Sequence, residues 1–286
     1  MRSTLAGEVE VSRLHTVSRR VVASFAMTSL SSARVTRRRF GITAGSALAS
    51  VAFAEACLVA TKTTADGGGR LTARPANGVV TSLTSGALGL GDGDRDGVIQ
   101  MPSAPGDGKV PLLVFLHGAT QSGAGMLRRI GPAADRAGVA VFAPDSRGTT
   151  WDAIRDGFGA DVAFLNRALE HVFRRLAVDP ARVALGGFSD GASYAISLGL
   201  ANGDLFPRIA AFSPGFEISA EPHGKPRFFV SHGTSDQILP IDQCSRVIVP
   251  RLRSLGYDVT FREFEGRHEM PPDIANDGLK WIAAGA

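Results

Sequence analysis

At 286 residues, with 44% hydrophobic and 20% charged side chains, the chain has the size and composition of one globular domain of ordinary α/β length, which excludes a disordered or fibrous protein. The net charge of +4 sits in residues 1–56, where eight arginines face Glu8, Glu10 and Glu55. The remainder is near neutral and gives no electrostatic case for a nucleic-acid partner. The two cysteines, Cys57 and Cys244, exclude a disulfide framework and a cysteine-rich metal site.

In chain order, residues 1–56 read as a leader. Thr36-Arg37-Arg38-Arg39-Phe40-Gly41 has the form of a twin-arginine export signal. A modestly apolar stretch follows, and Ala54-Glu55-Ala56 has the small-x-small form of a cleavage site. Cleavage there makes Cys57 the first mature residue, which invites lipidation, although Glu55 stands where a lipoprotein signal has a small neutral residue. The expected location is periplasmic or extracellular, with membrane contact only if Cys57 is lipidated. Residues 1–26 fit no part of a leader, so Met27 is the expected translation start. Residues 57–90 read as a flexible tether, polar and glycine-rich between 61 and 78.

From residue 91 to 286 strands and helices alternate. Strands are expected at 98–101, 112–116, 139–143, 182–186, 208–212, 227–230 and 258–265. Helices are expected at 123–138, from a cap at Asp161 to 176, from 192, at 243–255 with Asp242 as cap, and at 274–284. Such alternation predicts a parallel sheet with helices on both faces. Only residues 213–225 separate two strands where a lid could be inserted, too few for a folded cap. Asp92-Gly93-Asp94-Arg95-Asp96-Gly97 mimics the start of a calcium loop, but its twelfth position is Ser103, so a turn is expected.

The chemistry is concentrated at strand ends. Gly187-Phe188-Ser189-Asp190-Gly191 is a G-x-S-x-G pentapeptide between an apolar strand and a helix, the context of a nucleophile elbow. Asp236 and His268 follow later strands, so Ser, Asp and His appear in the chain order of that arrangement. Ser189 is the expected nucleophile, His268 the base that takes its proton, and Asp236 the acid that orients the imidazole. Backbone N–H groups of Ala119 and Asp190 are the expected oxyanion donors, with Thr120 in reserve. The Asp190 carboxylate itself is expected to do no more than favour a helix start. Trp151 and Phe158, in the loop 145–159, are candidates for an aromatic wall against the substrate, with loop packing as the alternative. His117 and His232 are expected to be structural. No histidine shows metal-ligand spacing, and no metal or cofactor is expected.

The segments LLVFLHGATQSG, RVALGGFSDGASYA, FFVSHGTSDQILP and EGRHEMPP together resemble the α/β-hydrolase superfamily, and within it small bacterial phospholipase/carboxylesterase or polyhydroxybutyrate-depolymerase-like esterases. The resemblance runs from about Gly97 to Ile282. It implies a lidless α/β-hydrolase fold and cleavage of small or polymeric carboxylic esters through an acyl-enzyme. Two departures bear on the substrate. Arg267 precedes the histidine where many relatives have glycine, and Asp190 follows the serine where carboxylesterases often have glutamine. Acyl transfer or peptide hydrolysis by the same triad, and a non-catalytic binding protein on the same fold, are the alternatives.

Overall fold

The computed structural model describes residues 69–284 except 92–94, 105–107 and 219. The expected leader, with Met27 and Cys57, and the first part of the expected tether lie outside the described residues, as do Asp92 and Asp94.

The chain order is β1 (Gly86–Ala87), β2 (Gly97–Gln100), β3 (Val110–Leu116), α1 (Gly123–Arg136), β4 (Ala140–Pro144), α2 (Ala160–Arg175), β5 (Val178–Phe188), α3 (Asp190–Ala201), β6 (Arg208–Phe212), β7 (Arg227–Gly233), α4 (Ser245–Ser254), β8 (Val259–Phe264) and α5 (Pro272–Ala283). One sheet joins the strands in the order β1-β2-β4-β3-β5-β6-β7-β8. The pairs β1/β2 and β2/β4 are antiparallel, and every pair from β4 to β8 is parallel. This is the expected mostly parallel sheet, and among the described residues no large extra domain is evident.

All seven residues of β3, Val-Pro-Leu-Leu-Val-Phe-Leu, are buried. A strand covered on both faces needs no polar alternation. Leu112, Val114 and Leu116 pack with Phe164, Leu165, Leu169 of α2 and Tyr194 of α3 on one face. Leu113 and Phe115 pack with Met126 and Ile130 of α1 and Ile274 and Leu279 of α5 on the other. On the first face, Ile196 of α3 and Ile248 and Leu252 of α4 cover Ile209, Phe228 and Val230. The helix α3 is buried at all 12 positions, so its run of Ala, Ser and Gly is set by the space available.

Several sequence expectations are corrected. The described part of the expected tether is laid on the body. Leu71 and Ala73 are buried in the core, and Asn202 takes the Leu71 N–H on Oδ1 (2.8 Å) while giving its amide to Gly69 O (2.8 Å). Arg70 and Arg74 grip Asp204 at 2.7 and 2.6 Å. Two apolar side chains at a spacing of two are too few to show as a pattern among glycines and threonines. Asp161 does not cap α2, whose cap position is Gly159. Its carboxylate turns back to accept N–H groups of Arg147 and Asp152 and so ties down the loop 145–159. Burial raises its pKa to about 6 against those hydrogen bonds. Asp242 does not cap α4 either. Cys244 holds that position, and Asp242 pairs with Arg246 at 2.7 Å.

Candidate active site

The strand β5 ends at Phe188 and α3 begins at Asp190, leaving Ser189 alone to reverse the chain. It does so at φ 57° and ψ −120°, a positive-φ conformation that is costly for a side-chain-bearing residue. The glycines on either side exist for close approach. A Cβ on Gly187 would stand 2.3 Å from Gly191 O, and one on Gly191 would stand 2.4 Å from Leu116 O. Only side-chain-free residues let α3 start this near β3.

His268, in the turn after β8, points its Nε2 at Ser189 Oγ across 2.9 Å. Its Nδ1 lies 2.7 Å from Asp236 Oδ2. An ionised carboxylate only accepts, so Nδ1 carries the proton and Nε2 is bare toward the serine hydroxyl. The imidazole packs 4.9 Å from the Phe188 ring, over which the Arg129 guanidinium lies at 5.1 Å. The sequence therefore brings Ser189, His268 and Asp236 together, over chain separations of 79 and 32 residues.

Asp236 is wholly buried at its side chain, and its surroundings hold it ionised. Burial alone would raise its pKa. Hydrogen bonds from His232, His268 and the Leu239 N–H outweigh that and push it well below the usual carboxylate range. Ile238 and Leu239 N–H both donate to Oδ1 at 2.9 Å. His232 was expected to be structural, and its contact with Asp236 is a residue role that sequence reasoning missed. Its Nε2 faces Leu239 O at 2.8 Å and Asp236 Oδ2 at 3.2 Å, while Nδ1 meets Ser245 Oγ at 2.7 Å. Two acceptors at Nε2 require the proton there, so a second imidazole donates to the oxygen that His268 uses. The spacing of four residues between His232 and Asp236 was the available signal.

On the other flank, the turn after β3 is carried by the loop 145–159. Thr120 sits at φ 60° and gives its N–H to Thr149 O (2.7 Å), which removes it as the reserve oxyanion donor. Among the described residues no acceptor takes the Ala119 N–H, and Asp190 is the first residue of α3, where a helix leaves its N–H groups unpaired. His117 is buried, accepts the Ser146 N–H on Nε2 (2.9 Å) and faces Gly118 O through Nδ1 (2.7 Å). Burial lowers its pKa and keeps it neutral.

Trp151 is not a wall against substrate. It is completely buried, donates from Nε1 to His117 O (2.8 Å), and packs between the rings of His117 and Tyr194 at 5.0 and 5.2 Å. Phe158 is half-buried against Tyr194, edge to face at 5.4 Å, and a Cβ on Gly69 would stand 2.9 Å from its ring. Trp151 thus braces the loop from inside, and Phe158 packs against the docked segment. Thr150, which sequence reasoning passed over, gives its hydroxyl to Asp190 Oδ2 (2.5 Å). Among the described residues no group of His, Cys, Asp and Glu is arranged to hold a metal ion, and no helix is long and apolar enough to cross a membrane.

A strained serine between a parallel strand and its helix, in line with a histidine and an acid from later strands, defines an α/β-hydrolase. The phospholipase/carboxylesterase family model matches residues 152–284, just under half of the chain. NocK of Nocardia uniformis subsp. tsuyamanensis, which carries an esterase name, is 31% identical over 157 residues, covering 50% of this chain and 45% of NocK. The match thus spans less than half of that relative. Among solved structures, esterase PE8 superposes with a TM-score of 0.55 at 22% identity, over 67% of this chain and 99% of its own. The Bacillus cereus carboxylesterase does so with 0.52 at 16%, over 68% and 95%. An S-formylglutathione hydrolase from Agrobacterium tumefaciens gives 0.53 at 18%, over 67% and 90%. At these identities the structures speak for the fold.

Proposed function

We propose that the protein is an exported serine esterase that hydrolyses carboxylic esters through an acyl-enzyme on Ser189. As Ser189 Oγ bonds to the ester carbonyl carbon, its proton passes to His268 Nε2. The carbonyl oxygen becomes an oxyanion, received by the N–H groups of Ala119 and Asp190, each worth about 3–4 kcal/mol in comparable sites. When the tetrahedral adduct collapses, the carbon–alkoxide bond breaks and the alcohol leaves with the proton from His268. Water then repeats the sequence on the acyl-enzyme. It gives a proton to His268, releases the acid and restores the serine. Asp236 keeps the imidazole in the productive tautomer and stabilises its charged form.

The observation that carries this reading is the 2.9 and 2.7 Å line from Ser189 through His268 to Asp236 built on a serine held at positive φ. The esterase names of the relatives agree with it. Export rests on the twin-arginine motif at Arg37 and Arg38 and is tested by retention of an Arg37→Lys/Arg38→Lys double variant in the cytoplasm. The activity is tested with a fluorophosphonate probe. It should label wild-type protein at Ser189 and leave Ser189→Ala unlabelled; wild-type protein that is folded yet refuses the probe refutes the reading.

A further inference from the structure

The proposed oxyanion donor Ala119 N–H belongs to the peptide between Gly118 and Ala119. That peptide is pinned, and so is the one on either side. Trp151 Nε1 donates to His117 O at 2.8 Å and holds the peptide before it. Thr149 O accepts the Thr120 N–H at 2.7 Å and holds the peptide after it. The middle peptide is held through His117. The Ser146 N–H donates to His117 Nε2 at 2.9 Å, which leaves the ring proton on Nδ1, 2.7 Å from Gly118 O. A trans peptide points its N–H opposite to its C=O, so a fixed Gly118 O fixes the direction of the Ala119 N–H.

The second donor, on Asp190, is held by the same loop. Thr150 Oγ1 donates to Asp190 Oδ2 at 2.5 Å. One helical turn further on, the Tyr194 hydroxyl donates to Asp152 Oδ1 at 3.0 Å. The consecutive residues 149–151 thus reach three backbone segments: the turn after β3, the start of α3 and the end of β3. The loop is also stiff in itself. Asp161 accepts the N–H groups of Arg147 and Asp152, and Asp152 Oδ2 accepts those of Gly159 and Asp161 at 2.9 and 2.8 Å. Thr120 is an independent sign of constraint. It is β-branched yet stands at φ 60°, a conformation that persists only where neighbouring contacts impose it.

Resting on the esterase reading above, we propose that Thr150 and Trp151 are positioning residues, through which the segment 149–151 presets both oxyanion donors before substrate arrives. They touch neither substrate nor reacting atoms and act through Asp190 and His117. Donors aimed in advance stabilise developing charge because they need not reorient during the reaction. A donor misplaced by about 1 Å forfeits much of that benefit. Loosening the segment should therefore weaken the hold on the transition state more than the hold on the substrate.

Three variants test this. Trp151→Phe keeps a ring and loses the N–H. Thr150→Val keeps the shape and loses the hydroxyl, and Thr150→Ser restores it. Fluorophosphonate labelling taken to completion counts the competent Ser189 sites, and kcat on an activated acetyl ester is expressed per site. It should fall about 10–100-fold in Trp151→Phe and about tenfold in Thr150→Val, a part of the roughly 10²–10³ that loss of a whole donor costs. Both half-reactions pass through an oxyanion, so KM should stay within about twofold. Thr150→Ser should recover most of the wild-type kcat. A trifluoromethyl ketone, whose serine adduct carries an oxyanion, should bind more weakly by the same factors as kcat. Thr150→Val carries the test alone if Trp151→Phe does not fold. Wild-type kcat per site in either folded variant, even with a lowered Tm, shows a purely structural loop and overturns the proposal, as does a loss confined to KM. Wild-type protein that takes no label fails at the esterase reading, whereas labelled variants with wild-type kcat fail only here.

Discussion

Two buried aspartates flank Ser189, the proposed nucleophile, and they are treated in opposite ways. Asp236 receives two imidazole N–H groups and two backbone N–H groups, and its pKa falls despite burial. Asp190 is buried to a similar degree, yet its carboxylate accepts its hydrogen bond from the Thr150 hydroxyl. Burial prevails there and raises its pKa, with only partial opposition from the Thr150 hydrogen bond and from nearby positive charge such as that of Arg155. Burial alone therefore does not set the charge of a carboxylate. The number and kind of donors aimed at it does. On the proposed mechanism, one flank holds its acid ionised to support an imidazolium, and on the other burial works against the charge of its acid.

The comparison can be broken most sharply by removing each charge in turn. Asp236→Asn should lower kcat by about 10⁴-fold with the fold intact, because the amide stabilises the wrong imidazole tautomer; steady-state kinetics with an activated acetyl ester would measure it. A loss of tenfold or less would mean that Asp236 is not the orienting acid. His232→Asn withdraws one of the donors to Asp236 and should cost about 10–100-fold in kcat. The same variant has a pH signature. A carboxylate with a depressed native pKa contributes stability that is present above its unfolded value and lost as pH falls through the native one. With less support, the native pKa of Asp236 rises, so acid unfolding followed by circular dichroism should begin at higher pH than in wild type.

Smaller effects belong to the other flank. Thr150→Val leaves the buried Asp190 carboxylate without its hydroxyl and should cost about 1–3 kcal/mol of stability, read as a lower Tm. Asp190 has a raised native pKa, so the folded state holds its proton longer than the unfolded chain does. Stability then falls as pH rises through that window, and Thr150→Val should steepen the fall. Asp190→Asn should do least. It keeps an acceptor for Thr150 and removes a charge that the site already disfavours, so kcat/KM should change by about threefold or less, within the usual scatter of near-isosteric substitutions. A loss as large as that of Asp236→Asn would overturn the contrast between the flanks.

Much of this arrangement was legible in the sequence because it is written locally. The pentapeptide at Ser189 needs glycines at 187 and 191 for steric reasons that do not depend on the rest of the chain. The apolar strands announce themselves by runs such as 112–116, and the order of Ser189, Asp236 and His268 specifies the topology that can join them. What stayed hidden depends on contacts across the fold. Trp151 sits in a polar loop, and nothing nearby says that its indole is enclosed between His117 and Tyr194. Leu71 and Ala73 lie in a glycine-rich stretch, and their burial is decided by Asn202 and Asp204 more than a hundred residues away. Asp161 and Asp242 stood where helix caps stand, but a carboxylate binds whichever donors the tertiary structure brings closest, and those were Arg147, Asp152 and Arg246.

The sequence by itself thus determined the strand–turn–helix at the nucleophile and the alternation that makes a parallel sheet, since both follow from backbone sterics and hydrophobic period. Only the tertiary structure decided in which direction each buried acid's pKa is shifted and which aromatic faces the core. Those outcomes depend on which N–H and O–H groups converge in space, and the linear order of residues does not contain that information.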